Sequence, residues 1–433
     1  MIIYVYKQNQ YLGKLEENND RITFIYSEDI GEKCYIDTIK DKKNTFEDLP
    51  LVFKNLLLEN EDLTKKTSTK IEKLLLLSDI HGSYQFSQTK HISKKKNKIY
   101  NYQDVKEEIL DSGYSFPNIL DYKLDIPKEK LEANNQNNVI GLSGFQHKFS
   151  VTKDDKTKTI TTSENDSNYF MKPYNKHHLI FQNESYIPCL LINEHLFMTI
   201  ARDLGFDIPY NAIIKGEKDY HYIIKRFDRF DKIKFDHEEF ATMLGYDSNS
   251  KYNTTILEIM TKAQAYLPNN ELKELLSFIF YSVVISHGDL HSKNLSLIHQ
   301  SNAFNEQKKC VSPYYDISTS FIYKGLKNRD IGMKVFNKKK GIKKQDFLNL
   351  AQKFEIDNFE DEIERICRYF INNFKSYINS LPNNIQNIPI AQSGYYENKK
   401  TFKFVLERYY NQRCQYIKEK IDKGLLPDIN IFK

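Results

Sequence analysis

The sequence predicts an α+β chain in two lobes, with a small β-rich subdomain ahead of them and a mostly helical C-terminal lobe. Two observations carry this reading. Short strand-like runs broken by turns recur through residues 1–227, and beyond Phe227 the apolar spacing turns almost wholly helical. The length of 433 residues allows two or three subdomains with at least one large core, and 30 Tyr and 28 Phe supply apolar material without any Trp.

Taken in order, Ile3-Tyr4-Val5-Tyr6 and Tyr11-Leu12-Gly13-Lys14-Leu15 flank the turn Gln8-Asn9-Gln10 and form a hairpin, and residues 21–26 alternate as a third strand. From Phe46 to about Leu77 the apolar spacing is helical. Residues 86–138 are polar and Lys/Asn-rich, contain Pro117 and Pro127, and read as a linker or variable insertion. Residues 149–152 and 159–162 pair as strands around the charged turn Asp154-Asp155-Lys156, and residues 169–172 make another strand. A helix spans about 188–204, opened by Pro188 and stopped by Gly205. Strands follow at 212–215 and 220–225. Residues 358–378 carry Phe359, Ile363, Ile366, Phe370 and Phe374 on one helical stripe, with Asp357 as N-cap and Glu360 as its capping partner. No internal repeat is visible. The expected units are 1–85, 86–138, 139–227 and 228–433.

Gross charge narrows the partners. With 63 basic against 58 acidic residues the net charge is only +5, which does not suggest a nucleic-acid coat. The basic runs at 94–98 and 338–344 read as exposed loops. Five scattered cysteines, never spaced C-x-x-C, fit free thiols in a reducing compartment. Met1-Ile2-Ile3-Tyr4-Val5-Tyr6 reads as a strand and not as a signal peptide, and the longest apolar stretch, about 275–285, is too short to cross a bilayer. A cytoplasmic protein with no membrane association is expected.

Chemistry concentrates in His287-Gly288-Asp289-Leu290-His291-Ser292-Lys293-Asn294, directly after that apolar run. Transfer of a nucleotide's phosphoryl group needs a carboxylate to orient the attacking hydroxyl and take its proton. It also needs oxygen ligands for magnesium nearby. Asp289 and Asn294 have the Asp-x-x-x-x-Asn spacing of a kinase catalytic loop, and Asp316 lies where the second magnesium ligand is expected. In the helix 188–204, Leu190, Glu194, Phe197, Ala201 and Leu204 share a stripe, so Glu194 stands on an apolar face and requires a partner. Lys172, on the strand upstream, is the nearest candidate; such a Lys–Glu pair holds ATP phosphates in kinases, and an ordinary structural ion pair is the alternative. Ahead of both, Gly141-Leu142-Ser143-Gly144-Phe145-Gln146-His147-Lys148 can offer backbone N–H groups to phosphate oxygens. Two decoys are set aside. His287-x-Asp289-x-His291 lacks the further ligands of a metal centre, and Asp79-Ile80-His81-Gly82, like a metallophosphoesterase's first motif, lacks that family's later motifs and reads as a turn after a helix.

Together, Ser143-Gly144-Phe145-Gln146-His147-Lys148, Lys172-Pro173, Asn193-Glu194-His195, Lys225-Arg226-Phe227-Asp228-Arg229, Phe240 with Leu244-Gly245, Gly288-Asp289-Leu290-His291-Ser292-Lys293-Asn294-Leu295-Ser296 and Tyr315-Asp316-Ile317-Ser318 resemble the HipA-type serine/threonine kinase toxins of bacterial toxin–antitoxin modules. The stretch covered is about 140–320, and residues 1–83 resemble the small subdomain fused ahead of that family's core. The resemblance implies a two-lobed protein-kinase-like fold. It implies Asp289 as general base, Asn294 and Asp316 as magnesium ligands, and Lys172 on the ATP phosphates. It places the phosphate loop at Ser143 to Lys148 and the adenine-reading hinge at Lys225, Arg226 and Phe227. His291, Ser292, Lys293 and Tyr315 are then expected to line the nucleotide site. Family members phosphorylate serine in aminoacyl-tRNA synthetases, are neutralised by a helix-turn-helix antitoxin through which they reach DNA only indirectly, and inactivate themselves by phosphorylating a loop serine. Relatives carry serine at one or both of the positions occupied here by Gly141 and Ser143, which leaves Ser143 as the expected autophosphorylation site. His147 stands where relatives carry Glu.

Two other readings stay open at the level of sequence. Aminoglycoside- and choline-type phosphotransferases share His-Gly-Asp-Leu-His-x-x-Asn. A catalytically dead kinase-fold binding module is the third reading, although Lys172, Glu194, Asp289, Asn294 and Asp316 are all present.

Overall fold

A computed structural model describes residues 1–57, 67, 69–77, 79–91, 98–131, 147–163, 167–174, 188–323, 329–390 and 400–425. It is an α+β protein of two lobes behind a small N-terminal β unit. That unit is a five-stranded sheet of β1 (Ile2–Lys7), β2 (Gln10–Asn18), β3 (Arg21–Tyr26), β4 (Lys43–Phe46) and β5 (Gln85–Ser87), in the order β4-β3-β2-β1-β5. Gln8 and Asn9 both have positive φ, the two-residue turn whose twist suits a hairpin. Ile22, Phe24 and Tyr26 alternate inward and meet Phe53, Leu56, Ile71 and Leu74 in a core of the unit's own. The long helix expected over 46–77 does not form as such: α1 (Leu51–Lys54) and a 3-10 turn (Ile71–Leu76) are what the described residues contain. Phe46 closes β4 instead, and the leucines spaced as for a helix are buried against a sheet, so tertiary packing overrides the local pattern.

The N-lobe follows with α2 (Tyr102–Leu110), β6 (Ile119–Leu120), β7 (Lys123–Asp125), α3 (Lys128–Leu131), β8 (Phe149–Asp154), β9 (Thr159–Thr162), β10 (Tyr169–Lys172), α4 (Leu190–Asp203), β11 (Asn211–Lys215) and β12 (Tyr220–Lys225). Its strands form one seven-stranded sheet ordered β6-β11-β12-β10-β8-β9-β7. The segment expected to be a linker or insertion thus supplies both edge strands, each paired in parallel, β6 on β11 and β7 on β9.

The C-lobe is helical around α7, but not wholly so. It opens with β13 (Arg229–Phe230), β14 (Ile233–Lys234) and β15 (His237–Glu239), then α5 (Phe240–Met243), α6 (Ile256–Gln264) and α7 (Asn269–Val284). Next come β16 (Ser296–His299), β17 (Lys309–Val311), α8 (Lys344–Lys353), α9 (Phe359–Ser380), α10 (Asn383–Gln386) and α11 (Phe402–Tyr416). The five short strands correct the almost wholly helical expectation; two- to four-residue strands are too brief to leave an alternation in sequence. From Leu275 onward α7 is buried on every side, which accounts for its unbroken apolar run. The cap of α9 is Asn358 and not Asp357: Asn358 takes a φ of 53°, which Asn tolerates, and the acidic Glu360, Asp361 and Glu362 sit at the helix's positive end. α4 packs on both lobes: Phe197 meets Phe374 and Tyr409 and its carbonyl accepts the Tyr281 hydroxyl, while His195 Nδ1 donates to Asn211 Oδ1 of β11 and Arg202 donates to the Ser112 and Tyr114 carbonyls. All five cysteines are free thiols. Among the described residues no helix is long and apolar enough to cross a membrane.

Candidate active site

Lys172 ends β10 and Glu194 lies on the second turn of α4, so sheet and helix bring the two together although 22 residues separate them. The Lys172 Nζ donates to both Glu194 carboxylate oxygens, at 2.8 and 2.9 Å, and to Asp316 Oδ1 at 2.6 Å. Burial opposes the ammonium's charge, but Asp316 and Glu194 outweigh it and hold Lys172 above lysine's ordinary value. One cation serves two carboxylates here, and the deeper one is harder to keep ionised. Burial pushes Glu194 up to about 7 against the pull of Lys172, whereas Asp316, whose side chain is 39% exposed, is held well below the usual carboxylate range by Lys172 and Lys148 despite the cost of burial.

The loop between α7 and β16 carries Asp289 and Asn294. Its path is fixed by two close approaches: a Cβ on Gly288 would fall 2.1 Å from Ser320 Oγ, and one on Gly332 2.2 Å from the Leu290 carbonyl oxygen. Asn294 is bound on both sides, its Oδ1 accepting from the His291 N–H at 3.1 Å and its Nδ2 donating to Asp316 Oδ2 at 3.2 Å. Asp316 itself has a φ of 60°. Asp289 is exposed, and its Oδ1 accepts the hydroxyl of Tyr252. His291 is buried, and burial followed by the charge on Lys251 keeps its ring neutral.

The other expected site residues divide. Lys148 is brought close: burial and the charge on Lys172 lower its ammonium to about 8. His147 Nε2 donates to the Lys130 carbonyl at 3.0 Å, so that nitrogen carries the proton. Phe227 stacks on Tyr315, with ring centroids 5.5 Å apart, and the Tyr315 hydroxyl donates to the Lys293 carbonyl. Four side chains are turned to other work. Lys225 donates to the Glu108 carbonyl, Ser292 Oγ to the Lys251 carbonyl, and Lys293 Nζ to Ser248 Oγ and the Asn55 carbonyl. Arg226 is buried against Asp228 and Asp79. Ser143, Gly144, Phe145 and Gln146 lie outside the described residues.

Two residues escaped the sequence reading. Asp79 does sit in a turn, with a φ of 47°, yet its carboxylate is buried, pairs with Arg226 at 2.8 Å and accepts the hydroxyls of Ser150 and Ser167. The available signal was charge balance: Arg226, Asp228 and Arg229 form a buried cluster with one cation in excess, which requires a second carboxylate. Tyr252 left no signal, since nothing local marks it as a neighbour of Asp289. Among the described residues no group of three or more His, Cys, Asp or Glu could hold a metal by itself.

Comparison with known proteins starts from the HipA-like C-terminal domain family, whose model matches residues 140–378, more than half of the chain. The chain belongs to this family. Two curated relatives carry provisional kinase names: a protein of Haemophilus influenzae, 27% identical over 195 residues (41% of this chain, 52% of the relative), and Y4dM of Sinorhizobium fredii, 27% identical over 249 residues (52% of this chain, 57% of the relative). The aligned region thus spans little more than half the length of those curated relatives. Among solved structures, a chain from the Shewanella oneidensis MR-1 toxin–antitoxin complex of HipA, HipB and operator DNA shares the fold. It superposes with a TM-score of 0.64 at 15% identity, covering 96% of this chain and 97% of that one.

Proposed function

We propose that this HipA-like chain is an ATP-dependent serine/threonine protein kinase acting as the toxin of a toxin–antitoxin pair, halting translation by phosphorylating an aminoacyl-tRNA synthetase. One observation carries the reading: Lys172 is held between Glu194 and Asp316, and Asn294, from the loop of Asp289, is tied to the same Asp316. In this reading Lys172 and Lys148 bind ATP phosphates, with backbone N–H groups of the Ser143 loop. The stacked rings of Phe227 and Tyr315 line the adenine site from one side, and the backbone at Lys225 to Phe227 reads the base's edge. Asn294 and Asp316 suit magnesium by donor type, an amide oxygen and an ionised carboxylate; the Asn294 amide nitrogen faces Asp316, so its Oδ1 would turn from the His291 N–H to join the carboxylate at the metal. Bound magnesium would neutralise phosphate charge. Asp289 accepts the proton of the acceptor hydroxyl as its oxygen bonds to the γ-phosphorus; the bond from that phosphorus to the bridging oxygen breaks, and ADP leaves.

The finer points belong to the same proposal. Phosphorylation of Ser143 would set about −2 of charge beside ATP's own phosphates and shut the enzyme off. A helix-turn-helix antitoxin is the expected partner, as the structural neighbour's complex with HipB suggests. Of the expected unit boundaries, that at 227 is likewise proposed; β5 runs through 85, and the boundary at 138 would divide the N-lobe sheet. Asp289→Asn is expected to lower phosphate transfer to proteins of a host lysate by about 10³-fold while leaving thermal unfolding unchanged. Mass-spectrometric phosphosite mapping, with wild type and Ser143→Ala alongside, reads acceptor and self-modification together. Equal labelling by Asp289→Asn removes the kinase reading.

A further inference from the structure

Tyr252 stands where a bound acceptor should stand. Its hydroxyl donates to Oδ1 of Asp289, the carboxylate proposed to receive the acceptor's proton. Its ring packs edge-on against His291, two residues along the same loop, with centroids 5.1 Å apart and planes at 82°. The backbone around it is fastened to that loop as well. The Lys251 carbonyl accepts from Ser292 N at 3.3 Å and Ser292 Oγ at 2.9 Å, and Thr254 Oγ1 donates to Ser292 Oγ at 3.0 Å. On the far side, Lys339 Nζ donates to the Tyr252 carbonyl at 3.3 Å, and Thr255 bridges to Lys334. The backbone at 251–255 is thus tied to the loop, and rotation of the Tyr252 or Asp289 side chain suffices to part the hydroxyl from the carboxylate.

A kinase faces a competing acceptor at 55 M, since water also carries a hydroxyl and its attack on ATP yields only hydrolysis. An aliphatic hydroxyl or a water must donate to Asp289 before it can lose its proton, and a phenol already bonded to Oδ1 competes with both for one of the carboxylate's two oxygens. We propose that Tyr252 is a specificity-determining gate of the acceptor site. Its hydroxyl holds the acceptor's seat on Asp289 and yields it to a docked protein but not to water. The inference rests on the kinase reading given above, and it assigns to Tyr252 a positioning role and no chemical step.

The test uses the full chain, ATP and magnesium, with no protein acceptor. Tyr252→Phe keeps the ring and removes the donor, so it should hydrolyse ATP about tenfold faster than wild type, the factor that one net hydrogen bond is worth. The gain should vanish in Tyr252→Phe with Asp289→Asn. A variant that merely loosened the loop would lose activity, so a Tyr252→Phe rate equal to or below wild type overturns the gate. If neither wild type nor Tyr252→Phe exceeds Asp289→Asn, the gate falls, whereas the kinase reading falls only if Asp289→Asn labels host proteins as wild type does. Independently of turnover, 3-fluorotyrosine placed at position 252 should shift its ¹⁹F resonance on Asp289→Ala, and an unmoved resonance also overturns the proposal.

Discussion

Asp316 holds a φ of 60° and at the same time accepts from Lys172 and Asn294. A non-glycine residue in that region costs on the order of 1 kcal/mol, and the two polar contacts fix it there. Around it the charges respond to pH through Lys148. The folded protein depresses this ammonium from 10.5 to about 8, through burial and then Lys172, so the fold favours the neutral form. The resulting destabilisation is absent well above 10.5, grows as pH falls from 10.5 to about 8, and is fully present below 8. If Lys148 binds phosphate in its charged form, KM for ATP should rise severalfold between pH 7 and pH 9. Lys148→Arg should flatten that rise, because a guanidinium stays charged throughout. Initial-rate measurements at fixed magnesium check both. At this scale the sequence was informative where spacing alone carries chemistry. Asp289 and Asn294 lie on one loop, and Glu194 faces its apolar stripe. Tyr252 was invisible, because its meeting with Asp289 depends on a fold that closes 37 residues of chain.

Among the elements, the turn at 79–83 and the start of β13 form one buried junction. Asp79 pairs with Arg226 and Arg229, the Gly82 N–H donates to Asp228 at 3.0 Å, and Ser83 donates to Asp236 through both its N–H and its hydroxyl. The N-terminal unit is thereby fastened to the proposed hinge by charges and not by its apolar core. Asp79→Asn should cost about 3 kcal/mol in urea unfolding, since it leaves two guanidiniums with one carboxylate in a dry site. Ser150→Ala, which removes a single neutral donor to the same carboxylate, should cost about 1 kcal/mol. Elements with long periodic patterns, such as α4 and α9, were legible to within a few residues. The helix expected over 46–77 was not, because leucine spacing that fits a helix also fits a ridge pressed on a sheet. Nor were β6 and β7, where two or three residues carry no period at all.

For the molecule as a whole, the expected two-lobed plan holds, and the core that surrounds α7 reaches up through α4. The helix bearing Glu194 packs on the N-lobe strands through His195 and Asn211 as well as on α7 through Phe197 and Tyr281, so the Lys172–Glu194 pair lies where the two lobes share a core. A chain begun at residue 139 would lack both edge strands of the N-lobe sheet and bare the edges of β11 and β9. It is expected to aggregate on expression, whereas a chain begun at 98 should stay in the supernatant of a sedimentation assay far longer. The same parallel pairing has a temporal side. Ile119 and its partner Ile213 are 94 positions apart, and at translation rates of roughly 5–20 residues per second β6 leaves the ribosome about ten seconds before β11. Asp289 and Asp316 emerge later still, so the sheet can close before the chain is able to act on ATP, and the nascent protein passes its most sticky interval while chemically inert.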